Sequence, residues 1–208
     1  MKILIADDHN IVRKGIKLIL AEAYPLAEIE DVSDSTELLK KASKKHWTVI
    51  ISDITMPGRS GLDVLKELKE QSPSTPILIL SAHSAEEYAV RSIKAGASGY
   101  LTKESAPDEL IKAVEYILSG KRYLTSEITE LLIDSYGGNS EKAPHDSLSN
   151  REFEVMKLLV AGQSISDMAE SLCLSANTIS TYRARIMEKM HIHTNTELIK
   201  YAIFHKLV

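Results

Sequence analysis

The chain has 208 residues, enough for one or two domains, and its 44% hydrophobic and 26% charged residues are ordinary for a globular protein. Its single cysteine excludes an intramolecular disulfide and argues against a thiolate metal cluster, and no uncharged run approaches the ~18 residues of a membrane span. The net charge of −4 does not point to nucleic acid, because only residues 148–208, with 7 Lys/Arg and 6 Asp/Glu, are slightly basic. Since the N-terminus also lacks a signal-peptide core, we expect a cytoplasmic protein with no membrane partner.

The first 120 residues alternate short apolar runs with amphipathic helical patterns. The apolar runs predict five strands, at residues 2–6, 26–32, 49–51, 77–80 and 100–101. The spacing of apolar residues after each run predicts five helices, at residues 12–23, 34–44, 62–71, 85–95 and 110–118. Five successive βα units imply a doubly wound (βα)5 parallel sheet with helices on both faces, which is an α/β fold.

The rest of the chain predicts a linker and a helical domain. Residues 121–147 are less regular, since three apolar residues allow a short helix and a Gly-Gly-Asn-Ser sequence predicts a flexible linker. Residues 148–208 predict an all-α domain of four helices, the first and last of which begin at capping-box sequences. A short turn between the second and third helices contains Cys173, whose apolar neighbours predict a small core residue. We therefore expect three parts, residues 1–120, 121–147 and 148–208.

Polar residues end the predicted strands at one edge of the sheet. Asp7 and Asp8 end the first strand, Asp53 ends the third, Ser81 follows the fourth, and Lys103 follows the fifth. In an open parallel sheet, the carboxyl ends of the strands form the edge where ligands bind. Three carboxylates there repel one another and need a cation, and an all-oxygen ligand set suits Mg²⁺. A hydroxyl and an ammonium group would hold phosphoryl oxygens, and an aspartate beside Mg²⁺ is a competent nucleophile for phosphoryl transfer.

At these positions the chain resembles the receiver domains of bacterial two-component response regulators. The resemblance lies in the sequences Ile5-Ala6-Asp7-Asp8-His9, Ser52-Asp53-Ile54-Thr55-Met56-Pro57, Leu80-Ser81-Ala82 and Gly99-Tyr100-Leu101-Thr102-Lys103. It implies that Asp53 is the phosphoacceptor and that a cognate sensor histidine kinase is a partner. We expect no enzymatic activity beyond phosphorylation and dephosphorylation of the receiver itself.

The resemblance also implies roles for the other residues at this edge. Mg²⁺ is the implied cofactor, and its implied ligands are Asp7 (largely through water), Asp8, Asp53 and the carbonyl of Thr55. The resemblance assigns Ser81 and Lys103 to the phosphoryl oxygens. It makes Tyr100 the switch aromatic, which swings inward as Ser81 moves.

Residues 148–208 resemble the LuxR-type helix-turn-helix module, in which the second helix of a helix-turn-helix unit enters the major groove of DNA. This resemblance is carried by the segments 148–152, 161–164 and 175–179. The two halves together look like a response regulator of the NarL/FixJ type. That type implies double-stranded DNA as a partner, a homodimer formed on phosphorylation, and RNA polymerase as a further partner.

The recognition helix of such a module would begin at Ser175. The implied DNA-contacting residues are Thr178, Ser180, Thr181, Arg183, Arg185 and Lys189. Relatives commonly have lysine at position 180 and histidine at 182, so the serine and tyrosine found here provide little for guanine recognition, and Ala184 offers no hydrogen bond. We therefore expect modest affinity and a steep dependence on dimerisation, with residues 195–205 as a contact between two modules. His191 replaces the glycine that usually follows the recognition helix, which leaves the cap geometry open.

Three alternatives stay open on the residues alone. An Asp-nucleophile phosphatase would need a second aspartate two residues after Asp53, where this chain has Thr55. A regulator could be controlled by a partner or ligand without phosphate, and the helical domain could bind only protein.

Thr55 and His83 each lie two residues after a site residue, so they could flank the phosphoryl group and control attack by water, unless His83 is merely an exposed loop residue.

Overall fold

The computed structural model describes residues 1–56, 59–83, 85–136, 143–205 and 207. Their contacts form two units, Met1–Leu132 and Ile133–Val208. The predicted domain boundaries at residues 120 and 147 stay a prediction, because an 11-residue helix, Ser126–Tyr136 (α6), runs across the boundary between the units. None of the helices in the described residues is long and apolar enough to cross a membrane.

In the described residues of the first unit, five strands and five helices alternate along the chain and are followed by the start of α6. The strands are β1 (Lys2–Ala6), β2 (Glu28–Val32), β3 (Val49–Asp53), β4 (Ile77–Ser81) and β5 (Gly99–Thr102). The helices are α1 (Asn10–Ala23), α2 (Ser35–Ala42), α3 (Gly61–Gln71), α4 (Ala85–Lys94) and α5 (Ala106–Leu118). All strand pairs are parallel, in the order β2-β1-β3-β4-β5, so the predicted α/β fold is confirmed.

Burial follows from the strand sequences. The apolar strands β3 and β4 are buried at every residue, and they lie at the centre of the sheet. Alternate residues of the central strands pack with α1 and α5 in one continuous core, because side chains alternate between the two faces of a strand. The more polar β2 lies at the edge of the sheet, where Lys45 forms ion pairs with Glu28 and Glu30, and Lys41 forms one with Glu30.

The second unit is helical. It contains a 3-10 helix at Pro144–Ser147 and the helices α7 (Asn150–Val160), α8 (Ile165–Ser171), α9 (Ala176–Met190) and α10 (Asn195–Phe204). Both predicted capping boxes form, at the starts of α7 and α10, and each joins a hydroxyl and a glutamate across the first turn of its helix. The core of this unit is made by apolar residues that include Phe153, Met156, Met168, Ile179 and Ile186.

Two helices of this unit end in residues with a left-handed backbone conformation that usually favours glycine. Cys173 follows α8 with φ 53°, and His191 follows α9 with φ 54°. After both helices the next two N–H groups bond back to the last turn, as in a Schellman motif, with Leu174 N–H donating to the Ala169 carbonyl and Ile192 N–H to that of Met187. The prediction that Cys173 is a core residue is wrong: its side chain is exposed, because this residue serves as the cap of α8.

Candidate functional site

The carboxyl ends of β1 and β3 place three aspartates together. The two strands pair side by side, with Ala6 opposite Ser52, so Asp7 and Asp53 follow at the same edge of the sheet. Asp7 is 1% exposed and Asp53 3% exposed, whereas Asp8 is only partly buried. Potential ligand atoms of Asp7, Asp8, His9 and Asp53 all lie within 4.8 Å of one another.

Lys103 lies between two of these carboxylates. Its Nζ is 2.6 Å from Asp53 Oδ2 and 2.7 Å from Asp7 Oδ2. The lysine is held in place because its backbone N–H donates to the Ser81 carbonyl at 2.7 Å, which fixes the loop after β5 to the end of β4. The structure therefore brings the predicted residues Asp7, Asp53 and Lys103 into direct contact, with Ser81 on the adjacent strand end.

Backbone N–H groups orient the aspartates. Asp53 Oδ1 accepts a hydrogen bond from the Thr55 N–H at 3.0 Å, and Asp7 Oδ1 accepts one from the His9 N–H at 2.7 Å. Each carboxylate therefore has one oxygen tied to the loop that follows its own strand. Thr55 thus contacts the site through its N–H, and the use of its carbonyl as a metal ligand stays a prediction.

The donors of the site suit a hard cation. Among the described residues, Asp7 Oδ2 and Asp8 Oδ1 are buried atoms with no hydrogen bond. The nearest nitrogen atoms are Lys103 Nζ, 2.7 Å from Asp7 Oδ2, and His9 Nδ1, 2.7 Å from Asp8 Oδ1. Such carboxylate oxygens fit Mg²⁺, which prefers oxygen ligands to an imidazole nitrogen. His9 was not among the predicted site residues, although its place directly after Asp8 was a usable signal.

Burial and nearby charges shift the pKa values of Asp53 and Lys103 in opposite directions. Burial raises the pKa of the Asp53 carboxyl above its ordinary value, and the contacts with Lys103 and Thr55 offset this only in part. Burial alone would lower the pKa of the Lys103 ammonium, but its contacts with Asp53 and Asp7 outweigh burial and raise it. Lys103 is therefore a firmly protonated cation at the edge of the sheet.

Ser81 and Tyr100 are linked through the backbone of His83. The Ser81 Oγ accepts a hydrogen bond from the His83 N–H at 3.1 Å, and the Tyr100 hydroxyl donates to the His83 carbonyl at 2.9 Å. Both Ser81 and Tyr100 are almost completely buried, so Tyr100 points inward. His83 itself is half-buried, with its ring 4.7 Å from that of Tyr88.

The polar residues of α9 form a separate candidate interface in the second unit. Ser180 and Thr181 are exposed, but their hydroxyls donate to carbonyls of their own helix, those of Ala176 and Asn177, at 2.9 Å. Thr178 shares a hydrogen bond of 2.8 Å with the hydroxyl of the N-cap residue Ser175. The hydroxyl-bearing residues expected to face DNA are therefore engaged within α9.

The three basic residues of α9 differ in their partners. Arg183 donates to Asn195 Oδ1 at 3.1 and 3.2 Å. Lys189 Nζ lies 2.6 Å from Glu152 Oε2, a buried carboxylate of α7. Arg185 is exposed and makes no hydrogen bond or ion pair within the part of the chain that the structure describes.

Both halves of the chain match known families. Residues 3–115 match the family described as response regulator receiver domain, and residues 146–202 match the bacterial regulatory proteins of the luxR family. Asp7, Asp53, Ser81, Tyr100 and Lys103 all lie within the first match.

The chain is also similar over its whole length to named regulators. Response regulator GacA of Pseudomonas protegens is 32% identical over 208 residues, covering 100% of this chain and 98% of GacA. UvrY of Escherichia coli K12 is 31% identical over 208 residues, covering 100% and 95%. The structure of RcsB from Salmonella enterica serovar Typhimurium bound to promoter rprA in the presence of phosphomimetic BeF3⁻ has a TM-score of 0.66 and 29% identity, covering 97% of this chain and 98% of that one. The chain therefore belongs to the two-component response regulators of the NarL/FixJ type, in which a receiver domain precedes a LuxR-type helix-turn-helix domain.

Proposed function

We propose that Asp53 is phosphorylated in a Mg²⁺-dependent reaction by a cognate sensor histidine kinase, and that the phosphorylated protein dimerises and binds promoter DNA. The main support is the position of Lys103, a protonated cation 2.6 Å from Asp53 at a buried edge of the sheet. A nucleophilic carboxylate beside a fixed ammonium is the arrangement that phosphoryl transfer needs, because catalysis there is mostly positioning and charge neutralisation.

Asp7, Asp8 and Asp53, with the carbonyl of Thr55, would hold the magnesium ion. When bound, the ion would neutralise charge that develops on the phosphoryl oxygens. Asp7 Oδ2 and Asp8 Oδ1, buried atoms without a hydrogen bond among the described residues, support this assignment.

In the transfer step, a carboxylate oxygen of Asp53 forms a bond to phosphorus while the bond from phosphorus to the histidine nitrogen of the kinase breaks. Asp53 must be ionised to attack, and Lys103 favours the ionised form against the effect of burial. As this oxygen becomes part of the acyl phosphate, the Lys103 ammonium can move its contact from Asp53 to a phosphoryl oxygen and keep its contact with Asp7.

The hydrogen bonds of His83 suggest how the new charge reaches the surface. If the Ser81 hydroxyl turns to a phosphoryl oxygen, the His83 N–H loses its acceptor. The His83 carbonyl also accepts from Tyr100, so a shift of this backbone segment changes the packing of the Tyr100 ring. We propose that this repacking alters the surface around residues 85–118 and thereby the dimerisation of the receiver.

Thr55 and His83 are proposed to set the lifetime of the phosphorylated state. Thr55 is exposed beside Asp53, and His83 is half-buried beside Ser81, so both can limit the approach of water. A faster or slower loss of phosphate in His83→Ala supports this role, and an unchanged rate rejects it.

The second unit is proposed to bind double-stranded DNA through α9 and to contact RNA polymerase at the promoter. RcsB, which is similar over nearly the whole chain, has been solved bound to a promoter. In α10, Ile203 is 63% and Phe204 82% exposed, and these apolar side chains are suited to a contact between two modules on paired half-sites.

The proposal is tested by measuring oligomeric state and retention of promoter fragments before and after treatment with Mg²⁺ and a small phosphodonor. We expect wild type to dimerise and to bind DNA more tightly, and Asp53→Asn to do neither. Asp63→Asn is a control for the loss of one carboxylate outside the site. DNA binding that is equal in all three proteins, treated or not, would instead support a regulator controlled by a partner or ligand.

A further inference from the structure

A second polar pocket lies at the opposite edge of the sheet. It has a volume of about 620 Å³, within the usual range for small-molecule sites. Thr48, Pro76 and Ser98, which directly precede β3, β4 and β5, contribute to its wall. Because each strand rises about 3.3 Å per residue, the pocket is roughly 15 Å from the edge that carries Asp53.

The charged side chains that line the pocket are all cations. They are Lys69, Lys121 and Arg122, and no Asp or Glu is among the lining residues. Within the described residues, Lys121 and Arg122 form no ion pair, and their backbone N–H groups donate no hydrogen bond. This positive cluster contrasts with the net charge of −4 of the whole chain.

Lys69 is held in a fixed position at the pocket. Its ammonium donates to the carbonyls of Pro73 at 2.8 Å and Thr75 at 3.0 Å, which leaves one of its three protons free. Its aliphatic stem packs over Gly96, where an added Cβ would lie 3.0 Å from the Lys69 Cγ. Burial and the nearby charge of Arg122 lower the pKa of Lys69, as expected where positive charge is not fully compensated.

The negative ends of nearby helices do not offset all of this positive charge. α3, α4 and α5 end near the pocket, and each helix C-terminus carries roughly half a negative charge. These partial charges offset only part of the three positive charges of the side chains. The remaining positive charge suits an anionic group such as a phosphate.

The remaining wall is apolar and larger than a phosphate group requires. Pro73, Pro76 and Leu118 supply non-polar surface beside the cations. We propose that this pocket binds a small organic phosphate, with the phosphate on Lys69, Lys121 and Arg122 and the organic part on the apolar wall. The site does not depend on phosphorylation of Asp53, and the full-length protein can be tested without a phosphodonor.

The test is isothermal titration of the full-length protein with adenosine monophosphate as the probe, in EDTA, compared with inorganic phosphate. The pocket variant is Lys121→Gln/Arg122→Gln, both exposed, and the matched control is Lys40→Gln/Lys44→Gln, two exposed lysines of the α2 region with the same charge change. We expect wild type to bind the probe with a Kd near or below about 1 mM, the pocket variant at least about tenfold more weakly, and the control within about twofold of wild type.

Inorganic phosphate should bind more weakly than the probe, because it cannot use the apolar wall. The proposal is overturned if wild type does not bind the probe, or if the control loses as much affinity as the pocket variant. Equal affinity for inorganic phosphate would overturn the organic part of the assignment. Thermal unfolding of the unliganded variants checks that both remain folded.

Discussion

Charged side chains are held in different ways at the carboxyl edge of the sheet and on α9. At the sheet edge, Asp7 and Asp53 are buried and have Lys103 between them, so each charge has one available position. On α9, Arg185 is exposed and has no hydrogen bond or ion pair with any residue that the structure describes, whereas Lys189 forms an ion pair with Glu152. Buried charges must be paired, and this fixes their geometry, while an exposed cation takes whichever partner is near. A single substitution at the carboxyl edge of the sheet should therefore abolish most of the function of that site. A single substitution on α9 should reduce function only in part.

The largest expected effect comes from removing Lys103. Lys103→Met should slow phosphorylation by a small phosphodonor at least about 100-fold, because the transition state loses its fixed ammonium and burial then favours protonated Asp53. The initial rate of phosphoprotein formation measures this. Lys112→Met, an exposed lysine of α5, is the matched control. A rate for Lys103→Met within a few-fold of wild type would contradict the role given to the ammonium.

The ion pair between Glu152 of α7 and Lys189 tests whether α9 also contains one charge that is held in a fixed position. The Glu152 carboxylate is 3% exposed and accepts from the Ser149 N–H at 2.7 Å and from Lys189. Glu152→Ala should lower the free energy of unfolding by about 2 kcal/mol, through loss of a cap and an ion pair. Glu152→Gln should recover about half, because glutamine can still cap the helix. Urea unfolding measures both, with the exposed Glu170→Ala as control.

The same residue predicts a pH dependence. Burial would raise the pKa of Glu152, but Lys189 and Ser149 outweigh it, so the folded pKa lies below the ordinary value of 4.5. Its contribution to stability is therefore present above that ordinary value and is lost as the pH falls through the depressed one. The stability difference between wild type and Glu152→Gln should therefore shrink as the pH falls below the ordinary value of 4.5. A difference that stays constant with pH would contradict the ion pair.

Measurements of DNA binding distinguish the roles of Arg185 and Lys189 on α9. Arg185→Met should weaken binding on all sequences and reduce the salt slope by about one unit, as expected for one phosphate contact. Lys189→Met should change the slope less and the stability more, because its ammonium is engaged by Glu152. Titrations at several salt concentrations distinguish the two, and equal slopes would show that Lys189 leaves Glu152 on DNA.

The smallest expected effect is at the cap of α9. His191 has φ 54°, which costs a non-glycine residue about 1 kcal/mol. His191→Gly should therefore raise the free energy of unfolding by up to about 1 kcal/mol, and Cys173→Gly at the end of α8 should act in the same direction. Urea titration at neutral pH measures both. Destabilisation by either substitution would show that the side chain makes a contact worth more than the strain.

The fold and the aspartate site could be predicted because each depends on local patterns. Apolar runs place Asp7, Asp53, Ser81 and Lys103 at strand ends, and a parallel sheet brings those ends together. The contacts of the charged residues on α9 could not be predicted to the same depth. The Lys189 contact with Glu152 joins residues 37 positions apart, and no local pattern encodes it.

Other differences between the sequence-based predictions and the structure also have physical causes. Cys173 was expected in the core from its apolar neighbours, but the end of α8 needs a left-handed residue there. α6 is longer than the short helix that its apolar residues allowed. The pocket at Lys69 and Arg122 could not be foreseen, because loops far apart in sequence form it.

The most direct test of the central claim is the intact mass of wild type and Asp53→Asn after incubation with Mg²⁺ and a small phosphodonor, with EDTA in a parallel sample. We expect wild type to gain one phosphoryl group only when Mg²⁺ is present and Asp53→Asn to gain none. Wild type that stays unmodified, or Asp53→Asn that is modified to the same extent, would contradict the assignment of Asp53 as the phosphoacceptor.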